Sequence, residues 1–188
     1  PTAACVASTD MEAAKFVQKH LNVPSKFRLY TNSDVIGVEL GGSLKNVIAI
    51  AAGFASEMHL GDNTNGALLT RGMAEIVRVS VKLGANPSTL YGLSGMGDLI
   101  ATCSSPLSRN HTVGAMLARG KKIDDILKEL GSVAEGVHTS KALCELAKKL
   151  GIEVPLSEAI YEALYTDIAP IAILNKLMNR KLKEEEKY

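Results

Sequence analysis

Several features that would classify the chain quickly are missing. No G-x-G-x-x-G turn occurs, and the glycine cluster at 92–97 (GLSGMG) has the wrong spacing for one. A complete dinucleotide-binding domain is therefore not expected. Cysteine is scarce: Cys5, Cys103 and Cys144 are odd in number and far apart. That pattern argues against a disulfide framework and suits a reducing cytoplasm. Charge of one sign is also missing, since the formal net charge is +1 and no basic stripe interrupts the mixed pattern; nucleic acid is not the expected partner. Residues 1–10 lack the basic start and long apolar core of a secretory signal. The apolar run at 47–54 is too short for a membrane span. His20, His59 and His138 show no metal-ligand spacing, so no metal site is expected. No internal repeat is present.

The 188 residues suffice for one full domain plus a small piece of another, and 46% of them are hydrophobic, so a sizeable core is expected. Residues 2–8 and 27–31 read as short strands flanking a helix at 11–21, opened by a cap at 8–10. These form a β-α-β unit, with a domain junction at 32–34. Everything beyond reads helical: 34–57, 63–83, 98–103, 109–119, 123–130, 139–150, 156–164 and 170–178. Residues 87–97 read as a glycine-containing connection, Asp62 and Asn63 as a cap and turn, and 181–188 as a frayed or disordered charged tail. Gly41 and Gly42 weaken the helix 34–57 and would permit close approach of another backbone or a ligand.

Charge is rationed in two segments. Residues 36–55 (IGVELGGSLKNVIAIAAGFA) carry only Glu39 and Lys45. Residues 83–108 (LGANPSTLYGLSGMGDLIATCSSPLS) carry only Asp98, and Arg109 and Asn110 follow directly. An ammonium on an apolar helix needs a partner or a function. One amine, one carboxylate and one guanidinium in such settings suggest a single pocket. Each has a plainer reading as well: Lys45 with its head reaching solvent, Asp98 capping the helix 98–103, and Ser108 capping the helix 109–119. Cys103 lies inside this block with no adjacent histidine base, and is read as structural rather than nucleophilic.

Four segments carry a resemblance: 37–46 (GVELGGSLKN), 62–72 (DNTNGALLTRG), 94–110 (SGMGDLIATCSSPLSRN) and 133–139 (VAEGVHT). Together, in this order, they resemble the bacterial-type NAD(P)-dependent glycerol-3-phosphate dehydrogenase family. The resemblance implies a mainly α, multi-helix substrate-binding domain of the phosphogluconate dehydrogenase C-terminal type at 34–188. A β-α-β remnant of a Rossmann domain at 1–33 would precede it. Pro1 without an initiator Met fits a C-terminal part; Met removal from a complete protein is the alternative.

The resemblance further implies reversible NAD(P)H-dependent reduction of dihydroxyacetone phosphate to sn-glycerol 3-phosphate, feeding glycerophospholipid synthesis. Lys45 would be the proton donor and oxyanion partner, a role that burial of a lysine favours by lowering its pKa. Asp98 would be its counter-charge. Ser108, Arg109 and Asn110, at a helix start where free N–H groups and the dipole favour anions, would hold the phosphate. Asn46 and Thr102 fall near the substrate at second-tier positions. Arg109, Val133 and Glu135 would border NAD or NADP, which a part absent from this chain would mostly bind. The chain alone is expected to be inactive, and its apolar helices, such as 63–83, suggest a homodimer. A stand-alone, non-catalytic helical module for dimerisation or ligand sensing is the rival reading.

Overall fold

In the computed structural model, residues 1–182, 184 and 185 are described; the rest of the charged tail lies outside them. The N-terminal unit is β1 (Thr2–Ala7), α1 (Met11–Leu21) and β2 (Phe27–Asn32). The strands are parallel, with Thr2 opposite Phe27 and Ala7 opposite Asn32. Asp10 starts α1, its carboxylate accepting from the N–H groups of Glu12 and Ala13 at 2.9 and 3.2 Å.

The chain enters α2 (Val35–Glu57) through Asp34. One Asp34 oxygen accepts from Gly37 N–H at 2.9 Å and the other from Asn86 N–H at 2.8 Å. A single carboxylate thus starts this helix and anchors a later loop. From Leu44 to Ala55, α2 is buried almost all round apart from Lys45. A helix apolar on every side belongs at the centre of a domain. Its 23 residues and mean hydropathy of 1.5 would suit a membrane span by length and composition. Its apolar residues instead pack within the chain: Val47, Ile48 and Ile50 meet Met73, Val77 and Val79 of α3 (Asp62–Lys82) and Leu99, Val113 and Val137 of later helices in one core.

Helix α3 begins at Gly61, at φ 82°, with no side-chain cap. Asp62 is inside the first turn, where its charge suits the helix dipole, rather than in the cap position expected for it. Residues 87–97 are not an open connection. They form a short helix α4 (Pro87–Leu90) and a π-type turn at Leu93–Gly97 that runs straight into α5 (Asp98–Ser104). Pro87 is pre-set for a first helical turn, and Asn86 accepts from Ser88 N–H at 3.0 Å to start it.

Four more elements complete the fold with α6 (Arg109–Ala118), namely α7 (Ile123–Leu130), α8 (Glu135–Leu150), α9 (Pro155–Tyr165) and α10 (Pro170–Met178). Helix α8 begins at Glu135 rather than at 139. Helices α2 and α6 touch backbone to backbone: a Cβ on Gly53 would stand 1.9 Å from the His111 carbonyl oxygen, and one on Gly114 would stand 1.9 Å from that of Ile50. Only glycine allows this approach. It sets the first turns of α6 against Ile50–Phe54 of α2, one to two turns beyond Lys45 and Asn46.

Candidate active site

Three helix starts converge on the middle of α2. Lys45 pairs with Asp98, the first residue of α5. The Lys45 side chain is 16% exposed and that of Asp98 39%, so the pair sits at the floor of an open surface rather than in the core. Thr102, one turn along α5, donates to the other Asp98 oxygen at 3.3 Å. With both oxygens engaged, Asp98 does not cap its own helix; α5 has no side-chain cap bond. What holds α5 in this place is another close contact. A Cβ on Gly41 would come within 2.6 Å of the Ser94 carbonyl oxygen, so the π-type turn rests directly on α2.

The second constellation is a chain of amides. Gly136 N–H, in the first turn of α8, donates to Asn110 Oδ1 at 3.0 Å. Asn110 Nδ2 donates to Asn46 Oδ1 at 3.0 Å, and Asn46 Nδ2 donates to Glu135 Oε2 at 3.1 Å. Since the backbone N–H can only donate, it sets the orientation of Asn110 and then of Asn46. Both asparagines are buried, at 8% and 6% exposure, and buried amides persist where they are bonded. The network ties the starts of α6 and α8 to α2 at Asn46, the residue next to Lys45. It also explains the early start of α8: Glu135 and Gly136 find their partners on other helices, a signal no local pattern contains.

Ser108 occupies the cap position of α6, its hydroxyl oxygen accepting from His111 N–H at 3.4 Å. The hydroxyl hydrogen can still donate outward. Arg109 is exposed in the first turn of α6 and pairs with no carboxylate among the described residues. Val133, 61% exposed, and Glu135 lie on the surface at the start of α8. Lys45, Asn46, Asp98, Thr102, Ser108, Arg109, Asn110 and Glu135 are therefore carried by the middle of α2 and the starts of α5, α6 and α8. Gly136, whose N–H orients the amide chain, is not among the residues the sequence singles out, since the helix was expected to start at 139.

Cys103 is buried, and burial pushes its thiol up to about 12 even with Lys45 nearby. It is not a nucleophile at neutral pH. An apolar cavity of about 550 Å³ lies elsewhere, lined by α3, α9 and α10 residues such as Leu68, Leu156, Ile173 and Leu177. Among the described residues no cluster of His, Cys, Asp or Glu could hold a metal ion.

An ammonium–carboxylate pair lies with two helix starts on the middle of α2, an arrangement of charges and free N–H groups compatible with a small anion. Comparison with known proteins makes the assignment specific. Residues 34–175 match the family model for the C-terminus of NAD-dependent glycerol-3-phosphate dehydrogenase. The chain is 51% identical over 185 residues to the glycerol-3-phosphate dehydrogenase [NAD(P)+] of Geobacillus kaustophilus, covering 98% of this chain and 54% of that protein. It is 53% identical over 185 residues to that of Anaeromyxobacter dehalogenans, covering 98% and 55%. The crystal structure of glycerol-3-phosphate dehydrogenase from Coxiella burnetii superposes with a TM-score of 0.90 at 37% identity, over 96% of this chain and 55% of that one. The chain belongs to the family of NAD-dependent glycerol-3-phosphate dehydrogenase C-terminal domains, and it spans about half the length of the curated relatives it matches.

Proposed function

We propose that this chain supplies the substrate-binding and proton-transfer half of a glycerol-3-phosphate dehydrogenase, which interconverts dihydroxyacetone phosphate and sn-glycerol 3-phosphate and feeds glycerophospholipid synthesis. The observation that carries it is the Lys45–Asp98 pair next to Asn46, to which the starts of α6 and α8 are tied.

The substrate phosphate would sit at the start of α6. Free N–H groups, the helix dipole, the Ser108 hydroxyl and the unpaired Arg109 fork all favour a dianion there. The keto oxygen would lie against Lys45 Nζ. When bound, NAD(P)H supplies the hydride to the carbonyl carbon. Lys45 gives its proton to the carbonyl oxygen as negative charge develops there, and regains one from solvent. In the reverse direction neutral Lys45 takes the hydroxyl proton. Asp98, fixed by Thr102, holds the ammonium in place. Exposed Val133, Glu135 and Arg109 offer an apolar and polar border suited to a nicotinamide dinucleotide held mainly by a further, nucleotide-binding part. The junction at 32–34 would divide the two parts.

The homodimer expectation drew on the helix at 63–83. In α3 the residues Met73, Ile76, Val77 and Val79 are buried in this chain's own core, while Val81 of the same helix stays 43% exposed and open to a second copy.

Arg109→Ala in the full-length polypeptide that carries this chain should raise the KM for dihydroxyacetone phosphate about tenfold to a hundredfold, the worth of a charge-assisted contact. Steady-state kinetics at fixed, saturating cofactor reads this directly. An unchanged KM would remove Arg109 from the phosphate site.

A further inference from the structure

Gly42 stands out once the other glycines are explained. Five of the sixteen, at 61, 84, 120, 131 and 151, have positive φ. Others, such as Gly41, Gly53, Gly95, Gly114 and Gly136, lie so close to a neighbouring backbone that a Cβ would clash. Gly97, in the π-type turn, has an ordinary φ and would meet only ordinary contacts at 3.7 Å, whereas a Cβ on Gly42 or Gly66, also of ordinary φ, would meet nothing within 4 Å. Glycine inside a helix is less stable than alanine by about 1 kcal/mol. Gly42 lies in the interior of α2, the central helix of the core, and nothing in its own chain requires it.

Its location supplies a reason. Residues three and four apart share a helix face, so Gly42 lies on the face of Lys45 and Asn46. Helical side chains lean toward the N-terminus and cover the turn before their own Cα. Lys45 and Asn46 therefore lean toward the turn that holds Gly42 without covering its Cβ position, and Asn46 Nδ2 lies 3.5 Å from the Gly42 carbonyl oxygen. The empty space above Gly42 thus lies on the face of α2 that carries Lys45 and Asn46.

We infer that Gly42 is a specificity-determining residue: the absence of a side chain there leaves the room that the reacting end of the substrate occupies against Lys45. This rests on the dehydrogenase reading above and adds a size limit at the carbonyl end of the site. A methyl group at 42 would stand where the keto carbon and its hydroxymethyl group must lie. Such a displacement of the reacting atoms by a fraction of an ångström is costly in rate.

The test compares Gly42→Ala with Gly66→Ala in the full-length polypeptide. Gly66 lies at the exposed start of α3 and has no part in the site. Both variants remove a helical glycine into open space, so each should gain about 2–4 °C in Tm. Only Gly42→Ala should lower kcat/KM for dihydroxyacetone phosphate, by about tenfold or more, with the KM for the nicotinamide cofactor unchanged. Gly42→Val should lower it further. Normal kcat/KM in Gly42→Ala would overturn the inference while leaving the dehydrogenase reading intact. So would an equal loss in Gly66→Ala, a rise confined to the cofactor KM, or a Gly42→Ala protein that fails to fold, since the space would then not be open. If the unmutated polypeptide shows no activity on dihydroxyacetone phosphate, the dehydrogenase reading falls and the inference with it.

Discussion

Lys45 combines two properties that seldom coincide. Its stem is packed in the most apolar helix of the chain, and its ammonium meets a carboxylate at an open surface. Removing the charge while keeping the stem separates these properties. Lys45→Met should fold with little change in Tm, because methionine replaces most of the packed methylenes. It should bind cofactor normally and lose about 10²–10⁴-fold in kcat, the usual worth of general acid–base assistance. Far-UV circular dichroism, cofactor titration and single-turnover rates cover the three parts. A Met variant with near-normal kcat would leave Lys45 as a structural cation. The solitary charges on 36–55 and 83–108 were visible in the sequence, because an unpaired charge in apolar surroundings is costly wherever the chain goes. Which atoms they meet was not: Asp98 was equally open to a capping role, and only the placement of α5 on Gly41 turns it toward Lys45.

At the scale of elements, α9 shows how one helix start depends on another helix. Its first residue, Pro155, has no N–H, and its flanking residue Val154 has no side chain able to cap. The orphan donors are satisfied by Glu75 of α3, which accepts from Leu156 N–H at 2.6 Å, Ser157 N–H at 3.1 Å and the Ser157 hydroxyl at 2.8 Å. Burial outweighs these bonds and the nearby Arg78, and raises the Glu75 carboxyl to about 7. A folded-state pKa above the unfolded value means that the folded chain holds this proton in a pH range where the unfolded chain has lost it. The contribution to stability is therefore full below about 4.5 and falls as pH rises toward about 7. At about 1.4 kcal/mol per pH unit, over the interval from 4.5 to about 7, the loss approaches about 3.5 kcal/mol. Glu75→Gln has no proton to lose, so urea unfolding at pH 5 and pH 7.5 should show a drop in stability in the unmutated chain that the variant lacks. Equal drops in both would place the titrating group elsewhere.

The same dependence explains which elements were legible. Helices opened by Asp10, Asp34 and Ser108 begin where the sequence says, since the cap is a neighbour in the chain. The start of α8 and the helical turns at 87–97 were misread, since their hydrogen-bond partners and close contacts come from residues distant in sequence.

On the scale of the whole molecule, the proposed site is assembled on α2 and the starts of α5, α6 and α8, and the β-α-β unit stands at the chain's other end from α10. No glycine-rich phosphate turn lies within these 188 residues. The chain by itself should therefore show no reduction of dihydroxyacetone phosphate with NADH or NADPH, followed as nicotinamide absorbance. Turnover matching that of an intact relative would show that all the machinery is contained here.

What the sequence alone determined was the class of architecture, the helical order after the β-α-β unit, and the isolated charges in apolar surroundings. These follow from local rules: hydrophobic period, caps, and the cost of isolated charge. The tertiary structure decided the rest. It selected the pairing of Lys45 with Asp98, the direction of the Asn110–Asn46–Glu135 amide chain, and the capping of α9 by Glu75. The first two accompany backbones brought into contact at Gly41, Gly53, Gly114 and Gly136, and the third joins α3 to α9. The reach of such contacts is set by the crossing of helices far apart in the chain, which no local pattern of residues encodes.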